Sequence, residues 1–178
     1  LLDGKHVRGL DQTGLSQKAG PVVSDVRLTR GEPRASNRAS AASVDTLIAF
    51  DLLVASSDAH ITGASPERTV VVASSASVGT GAMVVDPSTS FPHAEALGRL
   101  RSSSRSVSTI DAIAATQAAS GDATMANVYL LGVAVQQGLV PVHPDRIEEA
   151  IGLTGVAVEK NLAAFRVGRR DAADHRER

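Results

Sequence analysis

Three consecutive valines constrain the fold of this chain more than any other feature. They lie in the run Arg68–Ala73 (RTVVVA), whose continuous apolar character is typical of a strand that is covered on both faces. Similar short apolar runs alternate with helical patterns along the chain, which predicts a parallel sheet with helices on both sides. We therefore expect an α/β fold with a mostly parallel sheet, in which ligands usually bind beyond the carboxyl ends of the strands.

The spacing of apolar residues and the helix caps predict the individual elements. The predicted strands are His6–Leu10, Pro21–Thr29, Asp51–Ala55, Arg68–Ala73 and Ser106–Ile110. The predicted helices are Val44–Phe50, Ala94–Arg101, Ala112–Ala119, Ala123–Gln137, Pro144–Gly152 and Gly155–Phe165. Two arginine-rich segments, Arg30–Ser43 and Arg166–Arg178, are predicted to be an exposed loop and a solvated tail.

Composition excludes several classes of protein. The chain has 178 residues and no cysteine, so it forms no disulfide and ligates no iron–sulfur cluster. A formal net charge of −1 and an aromatic content of 2% argue against a nucleic-acid partner. No apolar stretch approaches the roughly 20 residues needed to span a bilayer, so we expect no membrane partner and a cytoplasmic location. Because the chain begins with Leu1 rather than methionine, we expect it to be processed, trimmed or a fragment.

Motifs that carry catalysis on their own are weak or absent. The five histidines have no partner at ligand spacing, so no metal site is predicted. No G-x-S-x-G motif is present, which argues against a serine hydrolase. Gly79-Thr80-Gly81 follows a predicted strand but lacks the third glycine of a dinucleotide-binding motif, so we interpret it as a plain loop.

The segment Asp11–Gly20 (DQTGLSQKAG) is the most informative one for function. A polar loop of this length at a strand end can hold a ligand or a partner subunit, or it can be an ordinary surface connection. Its candidate residues, facing substrate or partner, are Asp11, Gln12, Thr13, Gly14, Gln17, Lys18 and Gly20.

Two asparagines, Asn127 and Asn161, lie inside apolar helical patterns. Because a buried amide needs hydrogen-bond partners, we predict a structural role for both, in which the side chain bonds to loop backbone.

The run Gly9–Leu28 strongly resembles the signature of the gamma domain of indolepyruvate:ferredoxin oxidoreductases. These enzymes belong to the thiamine-diphosphate-dependent 2-oxoacid:acceptor oxidoreductases. The similarity continues in colinear order over residues 4–170. It runs through Asp45–Ala55, then Ala126–Gly132 with Gly138–Pro141, and then Ala150-Ile151 with Gly155–Phe165.

The resemblance implies a Rossmann-like three-layer α/β/α domain over residues 1–170, followed by a charged tail at 171–178. It also implies that the first strand and helix of the family domain precede this chain. Alpha and beta parts, fused or separate, would be its partners, and the complete enzyme would use ferredoxin, CoA, thiamine diphosphate and [4Fe-4S] clusters. In this family those cofactors are held mainly outside the gamma domain, so we expect none on this segment, which would supply assembly and active-site-lining surface.

Three departures from the family pattern leave an alternative open. Ala19 stands at a usual glycine, Asp25 at a frequent histidine, and the segment Ser74–Thr80 lacks the usual Thr-His pair and proline. The alternative is a diverged Rossmann-like binding or assembly module without catalytic context. A thiamine-diphosphate domain and cysteine clusters in the neighbouring coding sequence would favour the enzyme. An independent nucleotide-binding enzyme is a third hypothesis, but it needs a glycine-rich turn that the sequence does not contain.

Overall fold

The structure is a computed structural model, and it describes residues 3–13, 21–32, 36–77 and 91–174. Within these ranges the strands form two separate sheets. One is an antiparallel hairpin, and the other is a parallel sheet in which β4 is the central strand. The strands are β1 (His6–Thr13), β2 (Val22–Thr29), β3 (Thr46–Ala49), β4 (Val70–Ser74) and β5 (Ser106–Ile110).

In the described chain, helices follow each strand of the parallel sheet. A short 3-10 helix, Ala123–Met125, precedes α5. The α-helices are α1 (Leu52–Ser56), α2 (Asp58–Ile61), α3 (His93–Ser102), α4 (Ala112–Ser120), α5 (Ala126–Gln136), α6 (Pro144–Leu153) and α7 (Val158–Asp174).

The central strand is buried on both faces, as its valines predict. Val71 and Ala73 belong to a core cluster with residues of α1 and α3. Val72 points to the opposite face and belongs to a second cluster with residues of α4, α5 and α7. The predicted α/β fold, with a parallel sheet between two helical layers, is therefore confirmed. We call this three-layer unit, comprising the described residues from 46 to 174, the body.

Helices α5 and α7 approach each other closely in the body. Gly132 of α5 lies against the backbone of Phe165, and Gly168 of α7 lies against the backbone of Tyr129. A Cβ atom at either glycine would fall far inside van der Waals contact with the facing carbonyl oxygen. Two helices can approach this closely only because both positions lack a side chain.

The start of α7 follows a left-handed turn. Gly155 has a φ of 67° and Ala157 has a φ of 44°, so the chain twice adopts a conformation that favours glycine. The Asn161 side chain donates to the carbonyl of Val156 at 3.0 Å and holds this turn against the helix. The bond is of the kind that we predict for Asn161, whose structural role stays a prediction.

Two neighbouring predictions are wrong because strand and helix are exchanged. Val44–Phe50 was predicted as helical, yet it contains strand β3. Asp51–Ala55 was predicted as a strand, yet its residues begin helix α1. The Asp51 carboxylate accepts hydrogen bonds from the amides of Leu53 and Val54 at 2.9 and 3.0 Å, so it caps the helix and ends the strand before it.

The predicted solvated tail at Arg166–Arg178 is wrong for residues 166–174, which continue α7. Gly168 and Ala172 are buried against other elements of the body. Arg166 forms a bidentate ion pair with Glu148 of α6. The arginines therefore lie on the outer face of an amphipathic helix. Residues 175–178 lie outside the described residues, and the division into a domain of 1–170 and a charged tail of 171–178 stays a prediction.

Candidate functional site

The predicted functional loop begins later than its composition indicates. Asp11, Gln12 and Thr13 are the last residues of β1, because they continue the ladder opposite Ser24, Val23 and Val22 of β2. The other candidates of this segment lie outside the described residues: Gly14, Gln17, Lys18 and Gly20.

Polar side chains at this end of the hairpin bond to one another. Ser24 donates to the Asp11 carboxylate at 2.6 Å, and the Gln12 amide donates to the Asp25 carboxylate at 3.4 Å. The same Asp25 oxygen accepts the backbone amide of Ala39 at 3.2 Å. Asp25, which departs from the family pattern, thus ties the hairpin to the following segment. In the described part of the chain, Asp11 and Gln12 serve the hairpin itself.

The two faces of the hairpin differ in burial. Leu10 and Val23 are half-buried on the inner face. Val7, Val26 and Val22 alternate along the other face and are 46%, 64% and 62% exposed. Among the described residues, no helix or strand of the body packs extensively on either strand of the hairpin. The hairpin therefore exposes three valines on its outer face, which also carries Asp11, Thr13 and Ser24.

A second candidate site is a cleft at the carboxyl edge of the parallel sheet, where α/β folds usually bind ligands. It lies where β3 and β4 end and where α4, the 3-10 helix and α5 begin. Its volume is about 170 Å³. It is lined by apolar residues and three uncharged polar residues: Phe50, Ser74, Ala112, Ile113, Ala123, Thr124, Ala126, Asn127 and Leu130.

Aspartates cap three of the helices that begin at this edge, whereas α5 has no side-chain cap. The Asp111 carboxylate accepts the amide of Ala114 at 2.8 Å, and the Asp122 carboxylate accepts the amide of Thr124 at 2.9 Å. With Asp51 on α1, a carboxylate thus meets the positive end of each of three helices. A nucleotide phosphate needs such helix ends uncapped, so the capped edge disfavours an independent nucleotide-binding enzyme.

Asp122 is the most strongly perturbed acid at this edge. Hydrogen bonds from Thr124, first from its hydroxyl and then from its amide, hold the pKa of Asp122 well below its ordinary value. The Lys160 ammonium, 2.9 Å away, lowers this pKa further. The group stays ionised at neutral pH and keeps the 3-10 helix capped.

Asn127 does not fit its predicted structural role. Its side chain lines the cleft, and in the described part of the chain it has no hydrogen-bond partner. The pattern of apolar neighbours predicted a buried amide, but α5 turns this position toward the cleft, where the amide can remain without a loop contact.

Sequence reasoning missed the other cleft residues. Phe50, Ser74 and Ile113 belong to no motif, and they meet only because β3, β4 and α4 end or begin at the same edge. The available signal was the aspartate that follows β3 and β5, which marks where each strand gives way to a helix.

No cofactor site is evident among the residues that the structure describes. No group of three or more histidine, aspartate or glutamate side chains is placed to hold a metal ion in those ranges, and the sequence has no cysteine for a cluster. The carboxylate-capped helix ends also do not fit the diphosphate of a thiamine cofactor. No helix in the described ranges is long and apolar enough to cross a membrane.

Comparison with known proteins supports the resemblance at the level of the family. Residues 1–170 match the family model described as pyruvate ferredoxin/flavodoxin oxidoreductase. A search of curated proteins found no significant match. Because the family model spans nearly the whole chain, the chain belongs to the pyruvate ferredoxin/flavodoxin oxidoreductase family.

Proposed function

We propose that this chain is the gamma-domain part of an oxidoreductase that acts on indolepyruvate or another aryl 2-oxoacid. The complete enzyme cleaves the bond between the carboxylate and the oxo carbon and releases CO2. The acyl group passes to the CoA thiol, and the two electrons reduce two ferredoxins. Membership of the family supports 2-oxoacid:ferredoxin oxidoreductase chemistry. The resemblance in Gly9–Leu28 and Gly155–Phe165 supports the narrower assignment.

Within that enzyme, the segment supplies assembly surface and lines the approach to the active site. Enzymes of this family depend on thiamine diphosphate and iron–sulfur clusters. A chain without cysteine cannot ligate a cluster, and aspartates already cap α1, α4 and the 3-10 helix at the carboxyl edge of the sheet. The cofactors therefore belong to the alpha and beta parts, and ferredoxin and CoA reach this segment only through the complete enzyme, which we place in the cytoplasm.

The main support for the assembly role comes from the exposed valines on the outer face of the hairpin. A two-stranded hairpin alone is marginally stable in water, and this one receives little support from the body. The register of the two strands nevertheless places three valines on the same outer face. Valine on a solvated strand contributes no burial, whereas the same side chains against another domain would hold both strands in place. We assign this face to contact with the alpha or beta part.

A charge placed on the outer face tests this role. In the complete enzyme, Val26→Asp should weaken retention of the segment and lower CoA-dependent dye reduction at least tenfold, a loss of about 1.4 kcal/mol. Size-exclusion chromatography and turnover with indolepyruvate and other aryl 2-oxoacids measure the two effects. Val156→Asp is the matched control, because Val156 is 70% exposed but lies between α6 and α7.

Full activity and intact assembly in Val26→Asp would contradict the interface. Assembly without turnover of any 2-oxoacid by the unmodified enzyme would instead favour the diverged non-catalytic module. The two results separate the assembly role from the catalytic assignment.

Lys18 provides an independent test of the active-site-lining role. The residue lies outside the described residues, but it offers a positive charge next to Gln17 in the signature segment. We propose that it attracts the carboxylate of the substrate or a phosphate of CoA, with Gln12 and Gln17 orienting that group. Lys18→Ala should lower kcat/KM at least tenfold. Unchanged kinetics would show that the segment Asp11–Gly20 only connects two strands.

A further inference from the structure

The cleft at the carboxyl edge of the sheet carries polar groups that the fold does not use. Asn127 is exposed, and in the described chain its amide has no protein partner. The Ser74 hydroxyl accepts from the amide of Ala76 at 3.4 Å, but its own proton goes to no acceptor in the described ranges. Thr124 donates to Asp122 at 2.5 Å, which leaves its oxygen able to accept. The cleft therefore offers both donors and acceptors.

The electrostatics of the cleft disfavour an anionic occupant. Among the described residues, no side chain that lines it is charged. Asp111 and Asp122 directly precede the lining residues Ala112 and Ala123, and both carboxylates cap the helices there. An anion that entered would leave water and approach two carboxylates, of which Asp122 is paired with the Lys160 ammonium.

The walls of the cleft are apolar, and two of them are unusually exposed. Phe50 is 45% exposed and Ile113 is 37% exposed, while Leu130 beneath them is fully buried. Large apolar side chains around a few polar groups are a common feature of sites for small ligands. The volume of about 170 Å³ suits a group of several non-hydrogen atoms.

We propose that the cleft binds an uncharged ligand group that contains an amide, with Asn127 as its hydrogen-bonding anchor. The carboxamide of asparagine has one acceptor and two donor hydrogens, so it can accept from the N–H of another amide or donate to its C=O. Phe50 and Ile113 cover the alkyl part of the ligand, and the aspartate caps keep acids out. This inference is independent of which 2-oxoacid the complete enzyme uses.

Two probes of equal size separate an amide from an acid. N-propylacetamide and pentanoate have the same number of non-hydrogen atoms, but only pentanoate is charged at neutral pH. In the isotope-labelled 178-residue chain, N-propylacetamide should shift the side-chain amide signals of Asn127 and the methyl signals of Ile113 in a saturable way. Pentanoate should bind at least tenfold more weakly at the same signals.

Variants assign the binding to Asn127. Asn127→Ala should weaken N-propylacetamide binding at least tenfold, whereas Asn37→Ala, at an exposed asparagine outside the cleft, should leave it unchanged. Ile113→Trp, at a partly exposed position, should abolish binding by filling the cleft. This variant tests the proposal even if Asn127→Ala fails to fold. Absence of saturable shifts, equal binding of pentanoate, or unchanged binding in a folded variant of Asn127 or Ile113 would each overturn the proposal.

Discussion

The central strand β4 and the hairpin strand β2 are both rich in valine, yet they have opposite environments. Val71 and Val72 of β4 are completely buried between two layers of helices. Val22 and Val26 of β2 are 62% and 64% exposed. The difference teaches that valine content predicts a strand but not what covers it. In the body, helices of this chain cover the strand. For the hairpin, we propose that another part of the enzyme covers the exposed valines.

The largest expected effect is a loss of stability at the contact between α5 and α7 in the body. Gly168→Ala should destabilise the chain by about 3 kcal/mol or more, because the added methyl group meets the Tyr129 carbonyl and forces α5 and α7 apart. Chemical denaturation measures the loss. The control is Gly98→Ala in α3, where an added methyl group meets nothing within 4 Å and the better helix former should be neutral or slightly stabilising. Equal stability of both variants would show that the two helices separate at little cost.

A second prediction sharpens the contrast between the two sheets. In the 178-residue chain, backbone amides of β2 should exchange with solvent at least about 100-fold faster than those of Val71 and Val72, a difference of about 2.7 kcal/mol in opening free energy. Hydrogen exchange followed by NMR or mass spectrometry gives both rates. In the complete enzyme the β2 amides should become protected. Equal protection in the isolated chain would mean that the hairpin needs no partner.

A third prediction uses the single tyrosine of the chain. Burial, and then the neighbouring Asp171 carboxylate, raise the pKa of Tyr129 above its ordinary value of 10. Because the unfolded chain releases this proton first, the stabilisation is present below pH 10 and is lost as the pH rises above it. Tyrosinate absorbance should therefore appear together with unfolding seen by circular dichroism. Ionisation in a chain that remains folded would show that α5 and α7 open locally.

The smallest effect concerns the ion pair between α6 and α7. Hydrogen bonds from Arg166 hold the pKa of Glu148 below its ordinary value of 4.5. The stabilisation is present above that pH and is lost as the pH falls through the lower, folded-state pKa. Glu148→Gln should lower stability at neutral pH by less than about 1 kcal/mol and flatten its decrease below pH 4.5. An identical acid profile in both proteins would show that the ion pair contributes nothing.

The sequence predicted the layers of the body well because their signals are local. The limits of β5 were predicted to the residue, and Pro144 marked the start of α6. The exchange at residues 44–55 shows where this reasoning stops. TLIA and LLVA are equally short apolar runs, so periodicity cannot distinguish a buried strand from a buried helix turn. Only the position of Asp51, whose carboxylate bonds to the amides after it, separates the two elements.

The candidate sites were less predictable because they depend on tertiary proximity. Asp11 and Gln12 were singled out as loop residues, yet pairing with β2 makes them strand residues. The cleft brings Phe50, Ser74 and Asn127 together from segments that are far apart in the sequence. A single sequence does not show which distant segments lie next to each other in the fold. The family could therefore be recognised from the sequence, whereas the cleft could not.

The left-handed turn before α7 also offers a way to engineer the chain. Ala157 has a φ of 44° and Ala42 has a φ of 54°, and both pay the steric penalty of a Cβ atom in this region. Glycine at either position removes that penalty, with an expected gain of about 0.5–1 kcal/mol after its greater chain entropy is counted. Neither residue lines the cleft or lies on the hairpin. A double glycine variant would thus give a more heat-resistant starting protein, in which the destabilising substitutions described above become measurable.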